Sequence, residues 1–197
     1  MCARFARGSW RYAVPPMLVG LFLVPFSLLG AAVAFLSGGA ALGFHRDPDR
    51  SPPADGLLAP ADGTVSVVRE EDGRLRVGVF MNLTDVHVNR APLSGTVEDV
   101  THSPGKHWPA FRKESDRNEK VRVAFDEYTV VLIAGAFARR IHPYVEPGEE
   151  VERGQRIGHI SFSSRVDVIV PADVRREDLR VSKGDEVTAG ETRLVDR

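Results

Sequence analysis

Cysteine is nearly missing from this sequence. The one present, Cys2, sits beside the initiator methionine of a 197-residue chain, which excludes an internal disulfide framework and a multi-cysteine zinc site. An excess of one charge is missing too. The 26 Lys and Arg nearly cancel the 27 Asp and Glu, so neither the basic field of a nucleic-acid binder nor an acidic tail is present, and no nucleic-acid partner is expected. Charge of either sign is absent from Tyr12 to Phe44, as is histidine. That run exceeds the ~20 residues one helix needs to cross a bilayer, and Pro15, Pro16 and Pro25 interrupt it. Residues 1–44 therefore read as a membrane anchor, either one kinked span or a helical hairpin. A signal peptide is the competing reading, because Arg4, Arg7 and Arg11 precede the run; the run is long for an h-region and lacks a clear cleavage pattern. Arg46 and Arg50 follow it, and a hairpin with both ends on the cytoplasmic side fits that near balance of flanking charge.

What is present is enough apolar residue, 43% of the chain, to build the core of one ordinary domain. Residues 45–57, rich in proline and charge, read as a linker, and 58–197 as the folded domain. Here short β-branched runs alternate with turn signals. Gly63–Val68 and Arg74–Phe80 flank EEDG, Val121–Phe125 and Tyr128–Ala134 flank Asp126-Glu127, and Val166–Val170 ends at Pro171. The fold class is mainly β with short helices, one of them around Pro109–Glu114. A weak repeat, VEPGEEVERG at 145–154 and VSKGDEVTAG at 181–190, has the cadence of a barrel-sandwich β domain, with glycines for tight turns. A biotinyl or lipoyl carrier would display a lysine between the repeats. Gln155–Arg180 contains none, which removes most of that reading. A membrane-tethered binding or adaptor module without catalysis stays as the alternative from a different class.

Three segments concentrate polar residues beyond what a β core needs: Pro60–Gly63, Asn82–Arg90 and Ser161–Asp167. In a strand through Asp85-Val86-His87-Val88-Asn89, period-two geometry places Asp85, His87 and Asn89 on one face. The plain interpretation is a solvated outer face; a serine within reach of that imidazole would make it a nucleophile with its base. Elsewhere, Asp55 reads as a linker residue, and His142 and His159 as surface or turn residues. His102 and His107 are separated by Pro104 and Gly105, which argues against a metal pair. No metal site is expected.

The ordered motifs HRDPDR, APADG, VGVFMNLTDVHVNRAPLSGTV, HSPGK, AFRKESDRNE, AGAFARRIHPYV and GHISFSSRVDVIVP resemble phosphatidylserine decarboxylases, in particular their short archaeal-type subfamily. The resemblance covers roughly residues 43–171. It implies a proenzyme that cuts itself between 163 and 164 and converts Ser164 into a covalent pyruvoyl group, leaving two associated fragments. The group would form a Schiff base with the amine of a serine-headed phospholipid, phosphatidylserine or its ether analogue, and take up electrons as carbon dioxide leaves. His87 and Asp62 map to the family residues that assist. Arg90 stands where longer members carry a second histidine. Ser163 stands where the family usually has glycine; its side chain is not a reactant, and a serine there costs ~1 kcal/mol if the local φ is positive. Arg139 and Arg140 are candidates for the lipid phosphate, with Lys106, Arg112 and Lys113 facing either that phosphate or the membrane surface. The implied partners are a membrane, its lipid substrate and the chain's own fragments, with a homo-oligomer left open, and the implied location is the cell membrane with the catalytic domain on the cytoplasmic side.

Overall fold

The structure, a computed structural model, describes residues 5–106, 108, 116–135, 140–161 and 164–196. The helix expected around Pro109–Glu114 lies outside these residues. The chain forms two compact units, 1–49 and 50–197.

The first unit is a pair of helices, α1 (Trp10–Leu23) and α2 (Leu28–Phe44). Ser27 starts α2 by accepting the Gly30 N–H at 3.1 Å, which satisfies a donor that has no partner inside the helix. Pro25 lies in the turn between the helices, whereas Pro15 and Pro16 are inside α1. The helices meet through small residues, Ala13 and Gly20 on α1 and Ala31 and Gly38 on α2, all buried. A Cβ on Gly38 would come within 2.7 Å of Met17, so the close approach depends on its missing side chain. The apolar run thus folds as two helices that pack on each other rather than as one continuous helix. No helix among the described residues is long and apolar enough to cross a membrane.

The second unit is antiparallel β. Its strands are β1 (Leu57–Leu58), β2 (Gly63–Glu71), β3 (Arg74–Met81), β4 (Val88–Arg90), β5 (Gly95–Ser103), β6 (Lys120–Phe125), β7 (Thr129–Ala134), β8 (Ile141–Pro143), β9 (Glu150–Val151), β10 (Arg156–Ile160), β11 (Ser164–Ile169), β12 (Glu186–Val187) and β13 (Arg193–Val195). One sheet runs β12-β2-β3-β11-β7-β6-β5-β9, a second β4-β10-β8, and β1 pairs with β13. The β2–β3 hairpin turns on Asp72 and Gly73, both at positive φ (52° and 74°), the Asp-Gly signature of a tight hairpin turn. Both copies of the repeat turn at a positive-φ glycine, Gly148 and Gly184, and enter the short strands β9 and β12.

β11 lies between β3 and β7. Val166 and Val168 enter the main core with Val77, Val79, Val130 and Leu132, so strand alternation turns Arg165, Asp167 and Ile169 to the opposite face. That face is buried as well. Ile169 packs with Val131 and Ile133, and Asp167, fully buried, is paired by Arg165 and Arg76. Arg165 also pairs with Asp116, Asp116 with Arg69, and Glu71 with both Arg69 and Arg76. Three guanidinium groups thus balance three carboxylates, which is what keeps burial of these charges tolerable.

The second unit takes in residues 50–57, read above as linker. Arg50 pairs with Asp62 and Glu191, Arg153 donates to the carbonyls of Pro53, Asp55 and Gly56, and Arg193 pairs with Asp55. Three arginines fasten a segment that has no core of its own.

Candidate functional site

Ser164 is the first residue of β11, paired in register with Met81 of β3 and Ala134 of β7. It is fully buried, and its hydroxyl has no hydrogen-bond partner among the described residues. An unpaired buried hydroxyl costs on the order of 1–3 kcal/mol, so its presence here calls for an explanation. Its neighbour in the cleavage motif, Ser163, lies outside the described residues.

Met81 also leads to the segment that carries His87. The sequence reading extended a strand through 85–89, but the structure starts β4 only at Val88, because Asp85 makes a turn. Its carboxylate accepts the Asn82 N–H at 2.6 Å, and an aspartate that binds backbone this way competes with strand formation. Asp85 therefore shares no strand face with His87. The imidazole is 2% exposed, and its Nδ1 donates to the Asp85 carbonyl at 2.9 Å. That bond places the proton on Nδ1 and leaves Nε2 as the basic nitrogen of the neutral ring. The His87 carbonyl accepts the Ile160 N–H at 3.3 Å, so the residues carrying His87 run beside β10, which ends four residues before Ser164.

Asn89, one further alternate position along, is completely buried and reaches Met81, its Nδ2 donating to the thioether sulfur at 3.6 Å. Opposite it in β10 is Gly158. A Cβ there would stand 2.9 Å from the His142 carbonyl and 3.1 Å from Leu132 of β7, so the absence of a side chain lets the small sheet approach the large one at this point.

Asp62 is placed differently. Its carboxylate pairs with Arg50 at 2.7 Å and accepts the Ala189 N–H at 2.8 Å, which ties the start of the unit to the end of the second repeat. Two residues earlier, the Pro60 carbonyl accepts the Arg90 N–H. Arg90 itself is buried, donating to the Gly154 carbonyl at 3.0 Å; it does not stand in for an imidazole. Arg140 is exposed, and its guanidinium makes no hydrogen bond to another described residue. Arg139, Arg112, Lys113 and His107 lie outside the described residues.

His142 and His159 need correcting. They sit opposite each other in β8 and β10 with rings stacked at 4.5 Å, and His159 is 1% exposed with its Nδ1 hydrogen-bonded to Tyr144 OH at 2.7 Å. Gly158 in the middle of RIGHI weakens the strand signal and hid a strand that the small sheet buries. His102 is exposed and bonds Glu119 at 2.9 Å. Asp116, beside the 107–115 segment, is held below the usual carboxyl range: burial pushes it up, but hydrogen bonds from Arg165 and Arg69 and their charge outweigh burial.

Residues 40–195 match the family model described as phosphatidylserine decarboxylase. A Halobacterium salinarum protein named "Putative archaetidylserine decarboxylase proenzyme" is 57% identical over 96% of this chain and 98% of its own length. Phosphatidylserine decarboxylase proenzymes of Thermobifida fusca and Streptomyces avermitilis are 47% and 46% identical, each over 97% of this chain and 92% and 93% of their own lengths. With a family model matched over most of the chain and relatives this similar along nearly their whole lengths, the chain belongs to the phosphatidylserine decarboxylase family.

Proposed function

We propose that this chain is a proenzyme that cuts itself ahead of Ser164 and then decarboxylates a serine-headed phospholipid to its ethanolamine counterpart. The observation that carries the reading is the buried, unpartnered Ser164 hydroxyl at the head of a central strand. His87 Nε2 accepts the hydroxyl proton as Ser164 Oγ adds to the carbonyl carbon of residue 163. The C–N bond breaks, the amide nitrogen leaves as the amine of residue 164, and an ester joins the two segments. Loss of the Cα proton of residue 164 and cleavage of its Cβ–Oγ bond release a chain ending in the carboxylate of residue 163. The dehydroalanine left behind takes up water and gives off ammonia, which leaves a ketone at the head of β11.

The surroundings fit such a group. Position 164 is dry, flanked by Met81 and Ala134, and its strand is held from both sides, so the new chain start keeps its place after cleavage. The pyruvoyl carbonyl supplies the electron sink for decarboxylation. The chain's own residues supply the rest: His87 holds or returns a proton, the buried walls exclude water, and Arg140, exposed beside the Ser161 N–H that its carbonyl accepts at 3.4 Å, meets the lipid phosphate together with Arg139. Asp62 assists by anchorage, since its bonds go to Arg50 and Ala189.

The helix pair is the membrane contact. At 14 and 17 residues its helices are roughly 21 and 26 Å long, short of the ~30 Å apolar thickness of a bilayer, so the pair enters one leaflet and returns. The turn end is apolar and open, with Phe22 69%, Phe26 73%, Leu28 77% and Leu29 77% exposed. Arg7, Arg11 and Arg46, exposed at the other end, suit an anionic cytoplasmic surface.

The test is a denaturing gel with intact-mass analysis of the purified chain. Fragments 1–163 and 164–197 are expected, the smaller resistant to N-terminal sequencing and reactive toward hydrazine, with Ser164→Ala giving one band. Vesicles carrying acyl or ether serine lipid then separate the two substrate types by release of carbon dioxide. An intact chain with full activity and no reactive carbonyl would falsify the mechanism.

A further inference from the structure

Asn89 Oδ1, Ser161 Oγ and Ser164 Oγ are all buried without a hydrogen-bond partner among the described residues. The serine at 164 is accounted for by self-cleavage. Asn89 is not. A buried carboxamide offers two N–H donors and a carbonyl with two lone pairs, yet among the described residues this one makes a single weak side-chain hydrogen bond, Nδ2 to the Met81 sulfur at 3.6 Å. Met81 is the register partner of Ser164, and the Gly158 gap opposite Asn89 brings its strand close to the large sheet. The amide therefore reaches, under-used, the side chain of the cross-strand neighbour of Ser164.

Self-cleavage creates a demand that matches this surplus. When Ser164 Oγ adds to the carbonyl carbon of residue 163, the carbonyl oxygen becomes an oxyanion, the strongest acceptor anywhere in the site. Asn89 and Ser164 are both 0% exposed, so bulk water does not reach them to supply a donor, and His87 is engaged in taking the serine proton. A thioether is the weakest acceptor a side chain presents, so Asn89 gives up little by turning an N–H away from Met81. A donor that is poorly satisfied in the resting state and well satisfied only as charge develops is what stabilises a transition state over a ground state. We propose that Asn89 is a catalytic residue of self-processing, donating through Nδ2 to the oxyanion formed in the attack by Ser164. This rests on the self-cleavage reading above.

The test follows release of fragment 164–197 by gel and intact mass in Asn89→Leu and Asn89→Asp full-length chains, alongside their thermal melts. Asn89→Leu removes the under-satisfied amide at similar volume, so its melting temperature should equal or exceed that of the parent while processing slows at least about 100-fold, the usual loss for one oxyanion donor. Asn89→Asp is isosteric and carries the result if the leucine variant does not fold; lacking the N–H and bringing a negative charge, it should be equally slow at neutral pH. Cleavage within threefold of the parent in either folded variant overturns the proposal, and a normal rate in Asn89→Asp alone does so by showing that only the amide oxygen matters. A processing loss matched by an equal loss of melting temperature in both variants also overturns it, as a purely structural role. If the parent itself never cleaves, the self-cleavage reading falls and takes this one with it.

Discussion

His87 and Asp62 map together to family residues that assist the reaction, and their bonds separate them. His87 is oriented by the Asp85 carbonyl, a backbone partner that no side-chain motif announces, whereas Asp62 spends its carboxylate on Arg50 and the Ala189 amide. The two substitutions should therefore fail differently. His87→Ala is expected to fold and to cleave at least about 100-fold more slowly, the range for loss of a general base. Asp62→Asn should lower the melting temperature and slow cleavage less than tenfold, because it loosens the anchorage of residues 60–62 without touching the proton transfer. Fragment-release rates set beside melts decide it; a large rate loss with an unchanged melt in Asp62→Asn would put that carboxylate on the imidazole. Ser164 and His87 were legible as motif residues. Their burial was not, because a polar run such as DVHVNR reads as surface unless the sheet that covers it is known. His159 was misread for the same reason.

Among elements, those made by local pairing were the ones the sequence carried. The β2–β3 and β6–β7 hairpins have their turn residues between alternating apolar runs, and both strands of each formed as read. The placing of β11 between β3 and β7 brings together residues from 30 to 93 positions apart, a separation that no periodicity encodes. The ion cluster on its outer face was equally hidden, since RVD alone does not say that Arg76, Glu71, Asp116 and Arg69 will meet it. That cluster makes a pH prediction. Burial raises the Asp116 and Glu71 carboxyls, but their arginine partners outweigh it and lower both. A carboxyl with a depressed folded pKa adds stability that is full above its unfolded value, near 4, and lost as pH falls through the folded value. Melting temperature should therefore fall steeply below about pH 4, and Asp116→Asn should start lower at pH 7 and show a shallower acid decline. An identical acid slope in Asp116→Asn would show that this carboxylate does not couple to folding.

At the scale of the molecule, the apolar run was legible as a segment and its internal arrangement was not, because Pro25 marks a break without saying whether the chain bends or reverses. The boundary was also misplaced. Composition ends the linker at 57, but the arginine contacts begin the folded unit at Arg50, and a charged, proline-rich sequence gives no hint that it will be strapped down from residues about 100 to 140 positions away. Two truncations test the difference. A chain starting at Arg50 lacks the helix pair and keeps Arg50 on Asp62, the Pro53, Asp55 and Gly56 carbonyls on Arg153, and Asp55 on Arg193; it should leave the membrane fraction, stay soluble without detergent and still release fragment 164–197. A chain starting at Leu58 loses all of those contacts together with β1 residue Leu57, which is fully buried in the core. Loss of the buried Leu57 side chain alone costs about 2–5 kcal/mol, and the arginine contacts go with it, so this shorter chain should melt well below the first and cleave poorly. Equal melting temperatures for the two would show that residues 50–57 are a linker after all, and membrane retention of the Arg50 chain would move the anchor out of the helix pair and into the β domain.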